Sequence, residues 1–303
     1  MSDYARTILI PLDGSPLAEQ VLSELQPFAP PAKTHLILLR AIEPWAYALA
    51  ATRYATPESV ALLGLSAETY LASQQEHWQS LGYRVTTRVV EGDPAQCILT
   101  TAESNGVDWI GMTTRGRSGI ARWVLGSVAE RVLQSADVPI FLVRETNTSN
   151  KDGLNHILVP LDGSPMAEQV LTRVQALAQQ TNAKVTLLQV VQSLDEGNRK
   201  ILFANEAAAE SALAHLCADA EKYLQQVAGQ LLDAGVTTEW RAILGDPAST
   251  ILQVAVDERV DLIAMTTYGR TGLQRAFYGS VANKILRGAS CPLLLVRNEV
   301  PKR

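Results

Sequence analysis

Two short stretches, each present twice, combine residue types that suit anion binding. Pro11-Leu12-Asp13 ends an apolar run and passes into Gly14-Ser15-Pro16, and Pro160-Leu161-Asp162 does the same before Gly163-Ser164-Pro165. A carboxylate placed there either closes a turn by accepting backbone N–H bonds or faces a ligand, since open α/β sheets bind ligands at strand carboxyl ends. Ser15 suits the N-cap and Pro16 the first position of the helix that follows, with Glu19 favoured near its positive end. Farther along, nine residues separate Gly116 from Gly126-Ser127, and nine separate Gly269 from Gly279-Ser280. Such glycines permit positive φ and close backbone approach. Ser127-Val128-Ala129 and Ser280-Val281-Ala282 then open amphipathic helices whose first-turn amides form an anion site. Plain N-capping is the simpler role for both serines. Arg115, Arg117, Arg122, Arg270 and Arg275 either neutralise phosphate or sit solvated on the surface.

Other chemistries find little support in the residues. Cys97, Cys217 and Cys291 are scattered and lack metal or redox spacing, so reduced thiols are expected. His35, His77, His156 and His215 fall at positions that the two halves do not share, which disfavours a metal or histidine chemistry common to both. There is no GxxxxGK[ST] loop and no repeated carboxylate pair, and no catalytic residue is assigned.

The elements that must position these residues come as a duplicated domain. Residues 8–22 (ILIPLDGSPLAEQVL) return at 157–171 with 13 of 15 positions identical, and residues 112–133 and 138–144 return at 265–286 and 291–297. The offset grows from 149 at Asp13 to 153 at Gly92, so the second copy carries four extra residues between them. Domains are expected at 1–146 and 155–303, joined by a polar linker at 147–154. Apolar runs predict strands at 7–12, 35–41, 84–90, 108–113 and 139–143, then at 156–161, 184–191, 237–243, 261–266 and 292–296. Their continuity predicts parallel sheets covered by helices on both faces. A long helix in each copy shows a core stripe, Val60, Leu63, Ala67, Leu71, Trp78 and Leu81, then Leu213, Leu216, Ala220, Leu224, Val227 and Leu231.

With these residues in place, the chain resembles the universal stress protein family over nearly its whole length. The nucleotide-binding type carries a glycine, two residues, a glycine, nine residues, then Gly-Ser or Gly-Thr. Thr113 through Ser127 is similar to that motif, as is Thr266 through Ser280, and Asp13, Asp162 and the closing VPIFLV and CPLLLV runs add to the likeness. Both copies depart at the first glycine, which is Thr113 and Thr266. A β-branched residue resists positive φ, so either the backbone there has negative φ and the hydroxyl donates a hydrogen bond, or nucleotide binds weakly.

The resemblance implies, in each domain, a five-stranded parallel sheet of order 3-2-1-4-5 and ATP across the ends of strands one and four, with AMP or ADP as alternatives and Mg2+ accompanying ATP. Adenine would lie near Pro11, Leu12, Asp13 and Ala41, with ribose and phosphates at Met112, Thr113, Arg115, Gly116, Gly126, Ser127, Val128 and Ala129. The second set is Pro160, Leu161, Asp162, Val190, Met265, Thr266, Tyr268, Gly269, Gly279, Ser280, Val281 and Ala282. It also implies pairing of the fifth strands between domains, which would cover two sheet edges, and leaves a homodimer open.

Three functional classes remain at this point: a nucleotide-binding regulatory protein, a slow ATPase, and a dimerisation module without nucleotide. The composition, 47% hydrophobic and 19% charged over 303 residues, is that of a globular protein. The net charge of −5 disfavours nucleic-acid and anionic-membrane partners. No apolar run approaches the roughly 18 residues of a bilayer span, and a cytoplasmic setting is expected.

Overall fold

The computed structural model describes residues 6–43, 57–114, 125–144, 153–192, 205–267 and 279–297, without the side chains of 57–64. The chain divides into two compact units, Met1–Lys151 and Asp152–Arg303. Most of the expected linker therefore lies outside the described residues.

The first unit runs β1 (Arg6–Pro11), α1 (Pro16–Leu25), β2 (Thr34–Ile42), α2 (Pro57–Ser80), β3 (Arg84–Glu91), α3 (Pro94–Ser104), β4 (Trp109–Thr113), α4 (Ser127–Ser135) and β5 (Ile140–Val143). The second runs β6 (His156–Pro160), α5 (Pro165–Glu168), α6 (Leu171–Thr181), β7 (Lys184–Gln192), α7 (Glu206–Asp233), β8 (Thr238–Gly245), α8 (Pro247–Asp257), β9 (Leu262–Thr266), α9 (Ser280–Gly288) and β10 (Leu293–Val296). Strand neighbours follow β3-β2-β1-β4-β5 in one unit and β8-β7-β6-β9-β10 in the other, all parallel within a unit. This is the expected order. A parallel sheet needs both faces covered, and the central strands comply: Ile8, Leu9 and Ile10, like Ile157, Leu158 and Val159, are wholly buried.

The strand order reverses direction between β2 and β4 on either side of β1. Crossovers on opposite faces of the sheet leave a crevice outside the strand carboxyl ends at that point. The long helices bury Ala67, Leu71 and Trp78, and Leu213, Ala220, Leu224, Val227 and Leu231. Two members of the expected stripes are corrected. Leu81 is exposed because α2 ends at Ser80 and the chain turns at Gly82, where φ is 90°. Leu216 is exposed because it lies off the buried line through Ala209, Leu213 and Ala220, and Cys217 is nearer that face. Val60 and Leu63 are among the side chains outside the description. Cys97, Cys217 and Cys291 are free, and burial pushes the Cys291 thiol up to about 12, which keeps it protonated.

The two units differ at the amino ends of their strands. In the second, buried His156 places Nε2 2.7 Å from Thr186 Oγ1 and 3.8 Å from Glu258, which also pairs with Arg241. The first unit has Thr7 and Asn105 at these places, and Arg88 donates to Asn105 Oδ1 at 3.3 Å. Burial, then the Lys184 charge, hold the His156 imidazolium below its ordinary pKa, against an upward pull from Glu258 and Asp261. The unfolded chain therefore binds more protons than the folded one below about pH 6.5, and stability falls as pH drops through that range. Urea unfolding is expected to need less denaturant at about pH 5.5 than at about pH 7.5. Substituting His156→Thr, the first unit's residue, should flatten this dependence, and an unchanged slope would refute the assignment.

Candidate functional site

The turn after the first strand is built by its own side chains. Leu12 N–H donates to Leu39 O at 2.8 Å, and Gly14 follows with φ of 77°, a conformation that glycine adopts without strain. Asp13 Oδ1 accepts from Ser15 N at 2.9 Å and Ser15 Oγ at 2.5 Å, while Ser15 Oγ accepts from Ala18 N and caps α1, with Pro16 at its start. The second unit repeats this arrangement: Gly163 has φ of 79°, and Asp162 Oδ1 accepts from Ser164 N and Oγ at 3.0 and 2.6 Å. Asp13 thus does what a turn carboxylate does, and those bonds fix where it stands. The helix-end acid Glu19 accepts from Tyr70 Oη at 2.8 Å, and Glu168 from Tyr223 Oη at 3.0 Å, tying each long helix to the turn.

The second part of the site starts where β4 ends. Thr114 N–H donates to Val143 O at 2.9 Å, and Thr114 O accepts from Gly126 N–H at 2.7 Å. Thr267 does the same with Val296 O at 3.0 Å and Gly279 N–H at 3.1 Å. Each bond brings the start of a helix back to the strand it left.

Three expectations are settled by this geometry. Ser127 and Ser280 are the first helical residues, not N-caps; the caps are Gly126 and Gly279, which carry no side-chain cap bond. Those two glycines have φ of −65° and −59°, so positive φ is not their reason. Thr113 and Thr266 end their strands in register with Val143 and Val296 and lack positive φ, which removes the steric objection to threonine there. Among the described residues, a side chain at Gly279 would meet Thr267 O at 3.9 Å and nothing closer, so their packing does not demand glycine.

In the first unit these parts surround a cavity of about 460 Å³, within the range of small-molecule sites. It is lined by Pro11, Leu12, Asp13, Ala41, Met112, Thr113, Gly126, Ser127, Val128 and Ala129, all singled out from sequence. Arg115, Gly116, Tyr268 and Gly269 lie outside the described residues, as do Arg117, Arg122, Arg270 and Arg275. The corresponding turn and helix start bring Asp162, Thr266, Gly279 and Ser280 onto the same elements of the second unit.

Sequence reasoning missed several lining residues. Arg40 reaches in from β2, and its Nη1 donates to Leu12 O at 3.2 Å. Thr114 follows β4, and Pro94 and Ile98 come from α3. A charge inside the apolar run of β2 was the available signal for Arg40, and the doubled Thr-Thr in both copies was the signal for Thr114.

The repeated Gly-Asp-Pro also proves structural. Asp93 caps α3 by accepting from Gln96 N at 3.0 Å, and its other oxygen accepts from Arg131 of α4 at 2.6 Å. Arg131, then the Gln96 amide, hold the Asp93 carboxyl below the usual range. Asp246 caps α8 through Ser249, with Lys284 of α9 at 3.6 Å. The helix that offers its amides to the cleft is thus linked to the neighbour that forms the cleft wall.

Two doubly wound α/β domains in one chain, each with a strand-end turn facing a glycine-capped helix, define a tandem open-sheet protein. The family model of the universal stress proteins matches residues 5–144 and again 153–297, and the chain belongs to that family. A universal stress protein of Methanocaldococcus jannaschii is 29% identical over 147 residues, which are 48% of this chain and 83% of that relative. One from Thermus aquaticus is 32% identical over 142 residues, 46% of this chain and 97% of the relative. Among solved structures, a universal stress protein from Archaeoglobus fulgidus aligns with TM-score 0.72 at 19% identity, covering 97% of this chain and 98% of its own. A putative universal stress protein from Pseudomonas aeruginosa aligns with TM-score 0.66 at 17% identity, covering 97% and 93%. These two likenesses show the shared fold.

The capping role of Asp93 is directly measurable. Asp93→Ala should cost about 1 kcal/mol in denaturant unfolding through the lost cap. Asp93→Asn should keep most of that stability, because asparagine caps well and an exposed ion pair contributes little. Equal losses from both variants would put the charge, not the cap, in control.

Proposed function

We propose that this chain is a regulatory protein that binds adenine nucleotide, ATP first and AMP or ADP as alternatives, in the strand-end cleft. One observation carries the reading: the 460 Å³ cavity of the first unit, which gathers the turn carboxylate, an arginine and an uncapped helix start on one opening. First-turn amides of α4 supply donors for phosphate oxygens, and the positive helix end favours their charge. Asp13 supplies an acceptor for ribose or base, and Ala41 and Met112 supply apolar surface.

The same reading covers the second unit, where the turn and the Thr267–Gly279 closure recur. Mg2+ accompanies ATP in this reading, and the cytoplasmic setting and fifth-strand pairing rest on the sequence and the resemblance. An interaction module without nucleotide drew its support from Thr113 and Thr266, and their strand conformation weakens that support.

Freshly purified protein should release adenine nucleotide on denaturation, and the stripped protein should bind ATP in a calorimetric titration. No co-purified nucleotide together with no binding at millimolar ATP would refute the function. Gly279→Ala separates site from fold. At φ of −59° an alanine is unstrained, so unfolding should be unchanged or slightly more resistant, while ATP affinity of the second site falls at least about tenfold.

A further inference from the structure

Buried polar side-chain atoms normally find hydrogen-bond partners, and exceptions call for a reason. Among the described residues, Gln189 Oε1, Thr267 Oγ1 and the two carboxylate oxygens of Glu258 are buried without one. Glu258 explains itself through its ion pairs with Arg241 and His156 at the amino ends of the strands. Gln189 and Thr267 have no such explanation.

Both lie at repeat positions whose counterparts line the first unit's cavity. Gln189 holds the place of Arg40 at the carboxyl-terminal half of the second strand, and Thr267 holds the place of Thr114 after the fourth. In the first unit Arg40 Nη1 bonds to Leu12 O; in the second the amide oxygen can only accept, and it meets no donor. Thr267 is 3% exposed, and its backbone is held at both ends by Val296 and Gly279, which sets the residue beside the uncapped start of α9.

Resting on the nucleotide reading above, we infer that Gln189 and Thr267 are ligand-contacting residues of the second site. The Thr267 hydroxyl donates to a phosphate oxygen seated on the α9 amides, and Gln189 Oε1 accepts from a neutral N–H or O–H group of the same nucleotide. The second site therefore recognises its ligand through an acceptor where the first site presents a cation. Both residues are held at a cost to the unliganded fold, because a buried polar group without a partner is destabilising.

That cost gives the test two independent readouts. In an Asp13→Ala background, which reports on the second site, Thr267→Val and Gln189→Met are compared with their parent. Without ligand, each should raise Tm by about 2–4 °C, since an apolar group of similar shape replaces an unpaired polar one. Calorimetric titration with ATP should show each weakened about tenfold. Unchanged ATP affinity in both variants, or Tm that stays level or falls, would overturn the inference while the parent still binds. A parent that binds no ATP refutes the nucleotide reading of this site and the inference together.

Discussion

The hydrogen bond between the Thr114 carbonyl and the Gly126 amide governs the geometry of the cleft. It joins the end of β4 to the start of α4, across residues 115–124, and so sets where the helix amides point relative to Asp13 on the next strand. The bond recurs between Thr267 and Gly279. In both copies the donor is a glycine at the N-cap with no side-chain cap, so the first-turn N–H groups remain directed at the opening. A serine or aspartate at that position would satisfy one of those donors internally and place its own side chain in the same space.

The two ends of each sheet have diverged for different reasons. At the amino ends, the second unit replaces Thr7 and Asn105 with His156 and Glu258, joining a buried histidine, a half-buried carboxylate and the exposed Arg241. This cluster lies at the strand ends opposite the Asp162 turn, and its effect falls on stability and its pH dependence. At the carboxyl ends, the turn and helix closure are kept almost atom for atom, while the side chain from the second strand changes from Arg40 to Gln189. Backbone geometry is thus common to both sites, and the electrostatics belong to each.

Much of this was legible in the sequence because the repeat supplied it twice. The strands and the Asp13 turn follow from apolar runs and a Gly-Ser-Pro helix start, while the strand order and the meeting of strands one and four at the site came from the family resemblance. The errors came from reading residue type without dihedral angles. Glycine at 126 and 279 suggests positive φ, and serine at 127 and 280 suggests a cap, yet both glycines have negative φ and each helix begins one residue earlier than a serine cap implies. Threonine at 113 and 266 suggests obstruction, yet the strand runs through it in extended form. Arg40, Thr114 and Ile98 could not be read as neighbours because their proximity is a product of the crossovers, not of any local pattern.

The space before Gly279 and the unpaired hydroxyl of Thr267 point to the same conclusion from opposite directions. At Gly279 the protein leaves out a Cβ that the described residues around it would accept. At Thr267 it keeps a polar atom that its own packing does not satisfy. Each choice is unfavourable for the isolated fold: glycine gives up conformational restriction of the unfolded chain, and the buried hydroxyl gives up solvation. Two such costs set on either end of one hydrogen bond are hard to account for within the folded chain alone. A group that occupies the space and accepts the hydroxyl proton relieves both at once, which is what a phosphate seated on the α9 amides would do.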